Sequence, residues 1–142
     1  LKNMVASFDK VKLPSLKENM MSRPVYDDQN IFARILRGEI PCEKLDECPH
    51  TLSFEDIQPQ APVHILVIPK GSYVDIADFA AHAPAEEQVA FFAALGRVAQ
   101  KAGLAESGFR LIANTGQNGH QDVPHLHMHI LGGEPLGPMR PR

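Results

Sequence analysis

Residues 122 to 133 read DVPHLHMHILGG, a segment that places histidine at every second position: His125, His127 and His129. Successive side chains of an extended strand point to opposite faces, so the three imidazoles share one side while Leu126, Met128 and Ile130 share the other. One side then feeds a core and the other carries chemistry. Histidine makes up 7 of the 142 residues, so two more at prescribed offsets from a given histidine arise by chance in roughly 1 case in 400. A lone histidine on such a face usually reads as a hydrogen-bonded polar position; three in register do not. Neutral imidazoles in a row suit two tasks, ligating zinc or another transition metal, or handling a phosphate as nucleophile and hydrogen-bond donors near neutral pH. A metal site wants carboxylate or thiolate neighbours and an acceptor that orients each ring. Phosphoryl chemistry wants apolar walls, a turn of backbone N–H groups and donors around the oxygens. The second set of neighbours is what surrounds this strand.

Immediately upstream, TGQNGHQDV is a polar loop, and FRLIAN, residues 109 to 114, is a strand that leads into it. The clearest helix covers residues 84 to 102: Pro84 suits its first turn, Glu86 and Glu87 suit the positive end of the dipole, and Gly103 closes it. Val89, Phe92, Leu95 and Val98 form its expected core stripe, which leaves Phe91 and an alanine-rich flank for a partner surface. VHILVIP, residues 63 to 69, reads as a buried strand ended by Pro69 and Gly71, and in DIQPQAP before it Pro59 and Pro62 enforce a turn. Residues 44 to 46 and 51 to 55 read as a hairpin, the second strand turning Leu52 and Phe54 inward and Ser53 and Glu55 outward. IFARILRG puts Ile31, Phe32, Ile35 and Leu36 on one helical stripe, with Gly38 as the left-handed stop. The order is a helix, three strands, a longer helix and two strands. That predicts an α+β fold on an antiparallel sheet of about five strands, with one short and one longer helix. Residues 1 to 25 lack this periodicity and read as an appended arm, with Met20 or Met21 as a natural start; the folded domain is expected to span residues 26 to 142.

At 142 residues, 44% of them hydrophobic and 22% charged, the chain suits one compact domain with its own core. No run of about 18 uncharged apolar residues suggests a membrane span. A net charge of −3 argues against a general nucleic-acid coat, which needs a basic surface to displace counterions. Any anionic substrate must therefore be attracted locally. Cys42 and Cys48 make no disulfide framework, and no apolar leader is evident, so the expectation is a cytoplasmic protein with two free thiols.

HLHMHILGG resembles the His-φ-His-φ-His-φ-φ signature of the histidine triad superfamily, and the trailing Gly132 and Gly133 resemble its Hint branch, the purine nucleoside phosphoramidases. IFARILRGEIP is similar to that branch's opening helix, FEDIQPQAPVHILVIPK to its ribose-binding turn and central strand, and NTGQNGHQDV to its phosphate loop. Together with a bacterial-like ending, LGGEPLGPM, these cover most of residues 30 to 139. The resemblance implies hydrolysis of AMP-linked or GMP-linked amines without a cofactor. His127 would attack the α-phosphorus to give a nucleotidyl-histidine that water then hydrolyses, and His129 would donate to a non-bridging oxygen. His125 and His64 would orient the triad from behind. On the same basis His127 would face the bound phosphorus across an open pocket. Asp56 would accept both ribose hydroxyls, Asn114 and Gln121 would meet the sugar and phosphate, and Ile57, Ile31, Phe32, Ile35, Ile40 and Phe54 would sandwich the base. Without the resemblance, Ile35 and Ile40 read as ordinary core and Asp56 as a turn-forming Asx residue.

Three departures stand out. Asp122 stands where many animal members have a serine that helps at the leaving group, and a carboxylate there would repel a phosphate unless it turned toward the amine. His120 stands where glycine is usual. Some relatives hold a structural zinc through a Cys-x-x-Cys pair, but the matching places here are Asn30 and Ala33, so no metal is expected. The resemblance further implies a homodimer formed through the long helix and a strand edge, with no nucleic-acid or membrane partner. Three rival readings remain: hydrolysis of dinucleoside polyphosphates, a nucleotide-binding interaction module with vestigial catalysis, and a histidine-rich metal protein.

Overall fold

The computed structural model describes residues 23 to 140, so most of the expected N-terminal arm lies outside the described residues. In chain order the elements are α1 (Ile31–Leu36), β1 (Asp46–Glu47), β2 (Thr51–Glu55), β3 (Val63–Pro69), α2 (Ile76–His82), α3 (Ala85–Lys101), β4 (Phe109–Ile112) and β5 (Met128–Gly132). The five strands form one antiparallel sheet in the order β1-β2-β3-β5-β4. This is the α+β architecture read from the sequence, with one helix more than expected. That extra helix, α2, spans two turns, too few for a periodic stripe to emerge. Its local signal is Asp75, whose side chain accepts the Asp78 N–H as an N-cap.

The central strand β3 organises both faces of the sheet. Its period of two sends Ile65 and Val67 into a core with Phe79, Phe91, Leu95, Val98, Leu126 and Ile130. Leu66 and Ile68 go to the other face, where Phe32, Leu52 and Phe54 complete a smaller cluster under α1. Helices α2 and α3 therefore cover one face, and α1 covers only part of the other, leaving room there for a cavity. On β2, Leu52 and Phe54 point as expected, but Ser53 is fully buried rather than outward. The reason is that α3 lies over that face too, so β2 has no solvent side. Both expected helix stops hold: Gly38 and Gly103 take φ of +80° and +76°, the left-handed region where a side chain is costly.

Helix α3 is rotated relative to the sequence expectation. Its buried residues are Phe91, Ala94, Leu95, Val98 and Ala99, an i, i+3, i+4, i+7, i+8 row. Val89 and Phe92, assigned to the core from the sequence, are 69% and 78% exposed. Apolar residues run almost around this helix, so two stripes satisfied the same spacing and only the tertiary contact decides between them. Pro84 sits one position ahead of the helix, as its N-cap.

Two buried aspartates, Asp46 and Asp78, tie the periphery down. Asp46 on β1 is buried beneath Arg97 and Lys101 of α3, and hydrogen bonds from Arg97 hold its carboxyl down at about 2. Arg23, three residues ahead of the expected domain start at Tyr26, pairs with the buried Asp78 and donates to the Ser72 carbonyl. Among the described residues no helix is long and apolar enough to cross a membrane. Phe91 is the test of the helix rotation. Phe91→Ala should cost ~3–5 kcal/mol of stability by urea unfolding, because it empties a core position whose neighbours are fixed.

Candidate active site

Strand pairing sets the geometry of the histidines. His129 on β5 lies opposite Leu66 of β3, and His64 lies opposite Leu131. His64 and His129 are therefore diagonal neighbours on one face, within reach of long or aromatic side chains. Their rings meet, with His64 Nε2 and His129 Nδ1 2.8 Å apart. Ladder pairing of β5 starts only at Met128, so His125 and His127 precede the regular strand. The run is anchored there by the Leu126 N–H, which donates to the Tyr73 carbonyl. Leu126 and Ile130 face the helix-covered core and Met128 packs against it, as the alternation required.

Main-chain partners fix the proton on each ring, because a carbonyl can only accept and an N–H can only donate. His125 Nε2 lies 2.9 Å from the Pro69 carbonyl and so carries hydrogen, which leaves Nδ1 to accept from the Tyr26 hydroxyl at 2.6 Å. His127 Nδ1 lies 2.7 Å from the carbonyl of His125, so Nδ1 carries hydrogen and, in the neutral ring, Nε2 keeps the lone pair. The Gln60 N–H donates to His64 Nδ1, which puts the His64 proton on Nε2, and His64 donates it to His129 Nδ1. His129 must then carry its own proton on Nε2. That Nε2–H is buried and has no hydrogen-bond partner among the described residues. A free lone pair and an unspent donor thus stand on adjacent rings 5.1 Å apart.

Both residues line a cavity of about 610 Å³. Ile31, Phe32, Ile35, Ile40, Phe54 and Ile57, the six apolar residues expected to hold a base, all line it, as do Asp56, Asp122, His127 and His129. His64 and His125 are not among the lining residues and stand behind this wall, in contact with His129 and with the main chain at Pro69. The expectation that His127 faces an open pocket needs correction: the residue is only 4% exposed. Its ring is packed edge-on against Phe32 and His129, and Asp122 Oδ1 lies 3.5 Å from Nε2. The Asp122 side chain is itself 74% exposed, so the outermost cover on Nε2 is a side chain free to swing away.

The remaining expected contacts are less direct. Gln121 spends its whole amide on main chain, accepting from the Gly116 N–H and donating to the Val74 and Val123 carbonyls, and so staples the loop that follows β4. His120 takes φ of +57°, a conformation in which glycine is less strained, and it is exposed. Neither it nor Asn114 is among the cavity-lining residues. Asp56 forms the Asx turn, with Oδ1 accepting from the Gln58 N–H, while Oδ2 lies 3.4 Å from His64 Nε2. Sequence reading gave no role to Tyr26 or to the main chain at Gln60. No side-chain pattern marks a backbone N–H, and Tyr26 sits 99 residues from its partner.

Asp56, His64 and His129 bring ligand atoms within 4.8 Å of one another, close enough for a cation. Yet two imidazole nitrogens on a tetrahedral zinc at about 2.0–2.1 Å would stand about 3.3 Å apart. The 2.8 Å spacing here is that of a hydrogen bond. The Asn30 and Ala33 positions hold a helix cap, Asn30 Oδ1 accepting from the Ala33 N–H.

Burial keeps the outer members of the triad neutral. It pushes both His125 and His129 down to about 4, and neighbouring histidine charge acts in the same direction. Both folded values lie below the unfolded 6.5, so this part of stability is complete above about pH 6.5 and is lost as pH falls towards 4. Urea midpoints should decline across that window, with the unfolded chain binding up to two more protons than the folded one; a flat profile would contradict the burial argument.

A HIT domain family model matches residues 37–136, and the chain belongs to that family. A HIT-like protein of Azospirillum brasilense is 58% identical over 114 residues, covering 80% of this chain and 93% of that protein. The purine nucleoside phosphoramidase of Escherichia coli K12 is 44% identical over 113 residues, covering 79% of this chain and 93% of that protein. Among solved structures, a histidine triad protein from Clostridium difficile aligns with a TM-score of 0.71 at 37% identity, covering 82% of this chain and all of that one.

Proposed function

We propose that this chain is a nucleotide hydrolase that cleaves the P–N bond of purine nucleoside 5′-phosphoramidates through a nucleotidyl intermediate on His127. The observation that carries this reading is the fixed tautomer of His127. Its Nδ1–H is spent on the His125 carbonyl, so Nε2 is the nitrogen with an electron pair for phosphorus. In the first step Nε2 bonds to phosphorus as the P–N bond breaks, the nitrogen leaving as a neutral amine with a proton from solvent. In the second, the oxygen of water bonds to phosphorus as the Nε2–P bond breaks, and the proton lost by water returns to solvent. Charge that develops on the phosphoryl oxygens meets the His129 Nε2–H, which has no other partner. The apolar wall suits a purine face, and the free lone pairs of Asp56 suit a ribose diol. The name of the Escherichia coli relative points to the same reaction.

Separate substitutions test the two rings. His127→Ala should lower turnover of adenosine phosphoramidate by about 10⁴-fold or more while nucleotide binding persists. His129→Ala should cost about 10²–10³ in kcat with little change in AMP affinity. Brief mixing with substrate, followed by denaturation and peptide mapping, should find the nucleotide on His127. An adduct elsewhere, or faster turnover of diadenosine polyphosphate than of the phosphoramidate, would overturn the reading.

The same reading includes a homodimer. Val89, Phe92, Phe109 and Leu111 are exposed apolar residues on α3 and the edge strand β4, beside a shallow, mostly apolar groove of about 280 Å³. A second copy would cover this surface and pair the free edge. Sedimentation should give twice the chain mass, and Phe92→Asp should shift it towards the single chain; an unchanged mass in the variant would place the interface elsewhere.

A further inference from the structure

We propose that Asp122 sets the charge preference of the site, admitting phosphorus esters that bear one negative charge and disfavouring those that bear two. This rests on the nucleotide reading above and names the property that separates substrate from product within it.

The first observation is composition. Four carboxylates line the cavity, Glu43, Glu55, Asp56 and Asp122, and among the described residues no lysine or arginine lines it. Phosphate sites ordinarily meet anionic oxygens with such cations. Here the group beside the nucleophile that can serve is the neutral His129 Nε2–H, a donor with no net charge to offset a second negative one.

The second observation is position. For attack, phosphorus must come to about 3–3.5 Å from His127 Nε2. Asp122 Oδ1 now lies 3.5 Å from that same atom, so the carboxylate and the phosphorus compete for one place. Because the Asp122 side chain is largely exposed, it can move aside, but its backbone keeps the carboxylate near the phosphoryl oxygens.

The third step is the chemistry of the ligands. A phosphoramidate of a nucleoside has one ionised oxygen on phosphorus, because nitrogen replaces the second acidic group. The nucleoside monophosphate product regains that group, which ionises with a pKa of about 6. Above neutrality the product therefore carries one charge more than the substrate. A carboxylate about 4 Å away disfavours each added charge by about fivefold even at the dielectric of bulk water, and by more in a cavity. Asp122 thus weakens product binding more than substrate binding, which speeds clearing of the site after each turnover.

The test is calorimetric binding at pH 8 of two ligands, AMP and adenosine 5′-(methyl phosphate), a diester with one charge. Both are titrated into the full chain and into Asp122→Asn and Asp122→Glu. Asp122→Asn should tighten the diester by about fivefold and AMP by about a further fivefold, about 25-fold in all, while Asp122→Glu keeps the wild-type ratio within about twofold. Equal tightening of both ligands, or no change in AMP affinity, overturns the inference and leaves the nucleotide reading standing. Failure of the unsubstituted chain to bind either ligand overturns both.

Discussion

One hydrogen bond, from His127 Nδ1 to the carbonyl of its neighbour but one, gives this molecule its chemistry. It decides which nitrogen keeps an electron pair, and it does so with main chain, which cannot change protonation state. The acceptor is steady because His125 is itself pinned, by the Pro69 carbonyl at the end of β3 and by the Tyr26 hydroxyl. The His127 ring is thus aimed by the central strand of the sheet. His129 is set in the same manner through His64, whose proton is placed by the Gln60 N–H. Two relays, each started by a backbone group, end on opposite roles: one ring presents a lone pair and the other a proton.

Such an arrangement needs the sheet to have two unlike faces. One is sealed by α2 and α3 around Ile65, Val67, Leu126 and Ile130. The other holds a smaller cluster under α1 and is left hollow beside the histidines. Alternation along β3 and through the histidine run serves both at once, so the residues that build the core also space the rings. Burying neutral imidazoles has a cost, offset by the bonds that each ring makes. The buried exception, His129 Nε2–H, is an unpaired donor at the place where an oxyanion would sit.

Much of this was legible in the sequence, for identifiable reasons. A two-residue period and a Pro-Gly boundary gave β3 and β2 their limits, and the every-other-residue histidines gave the face on which chemistry lies. The six apolar wall residues, Asp56, Asp122 and the four histidines converge on or just behind one cavity. What escaped was tertiary. The rotation of α3 could not be read because two apolar stripes share its surface, and only packing on the sheet selects Phe91 over Phe92. Helix α2 was too short to show a period. The near-complete cover on His127 comes from Phe32, His129 and Asp122, which meet there from distant parts of the chain.

The relay that begins at Gln60 uses only that residue's N–H, and the one at Pro69 only its carbonyl. Side chains at such positions are spectators of the chemistry they enforce. Neutral drift can therefore rewrite position 60 to almost anything except proline without altering which way a proton sits on His64. Lineages can diverge widely in the letters around this site and still inherit the same wiring, since it is the path of the chain that is passed on.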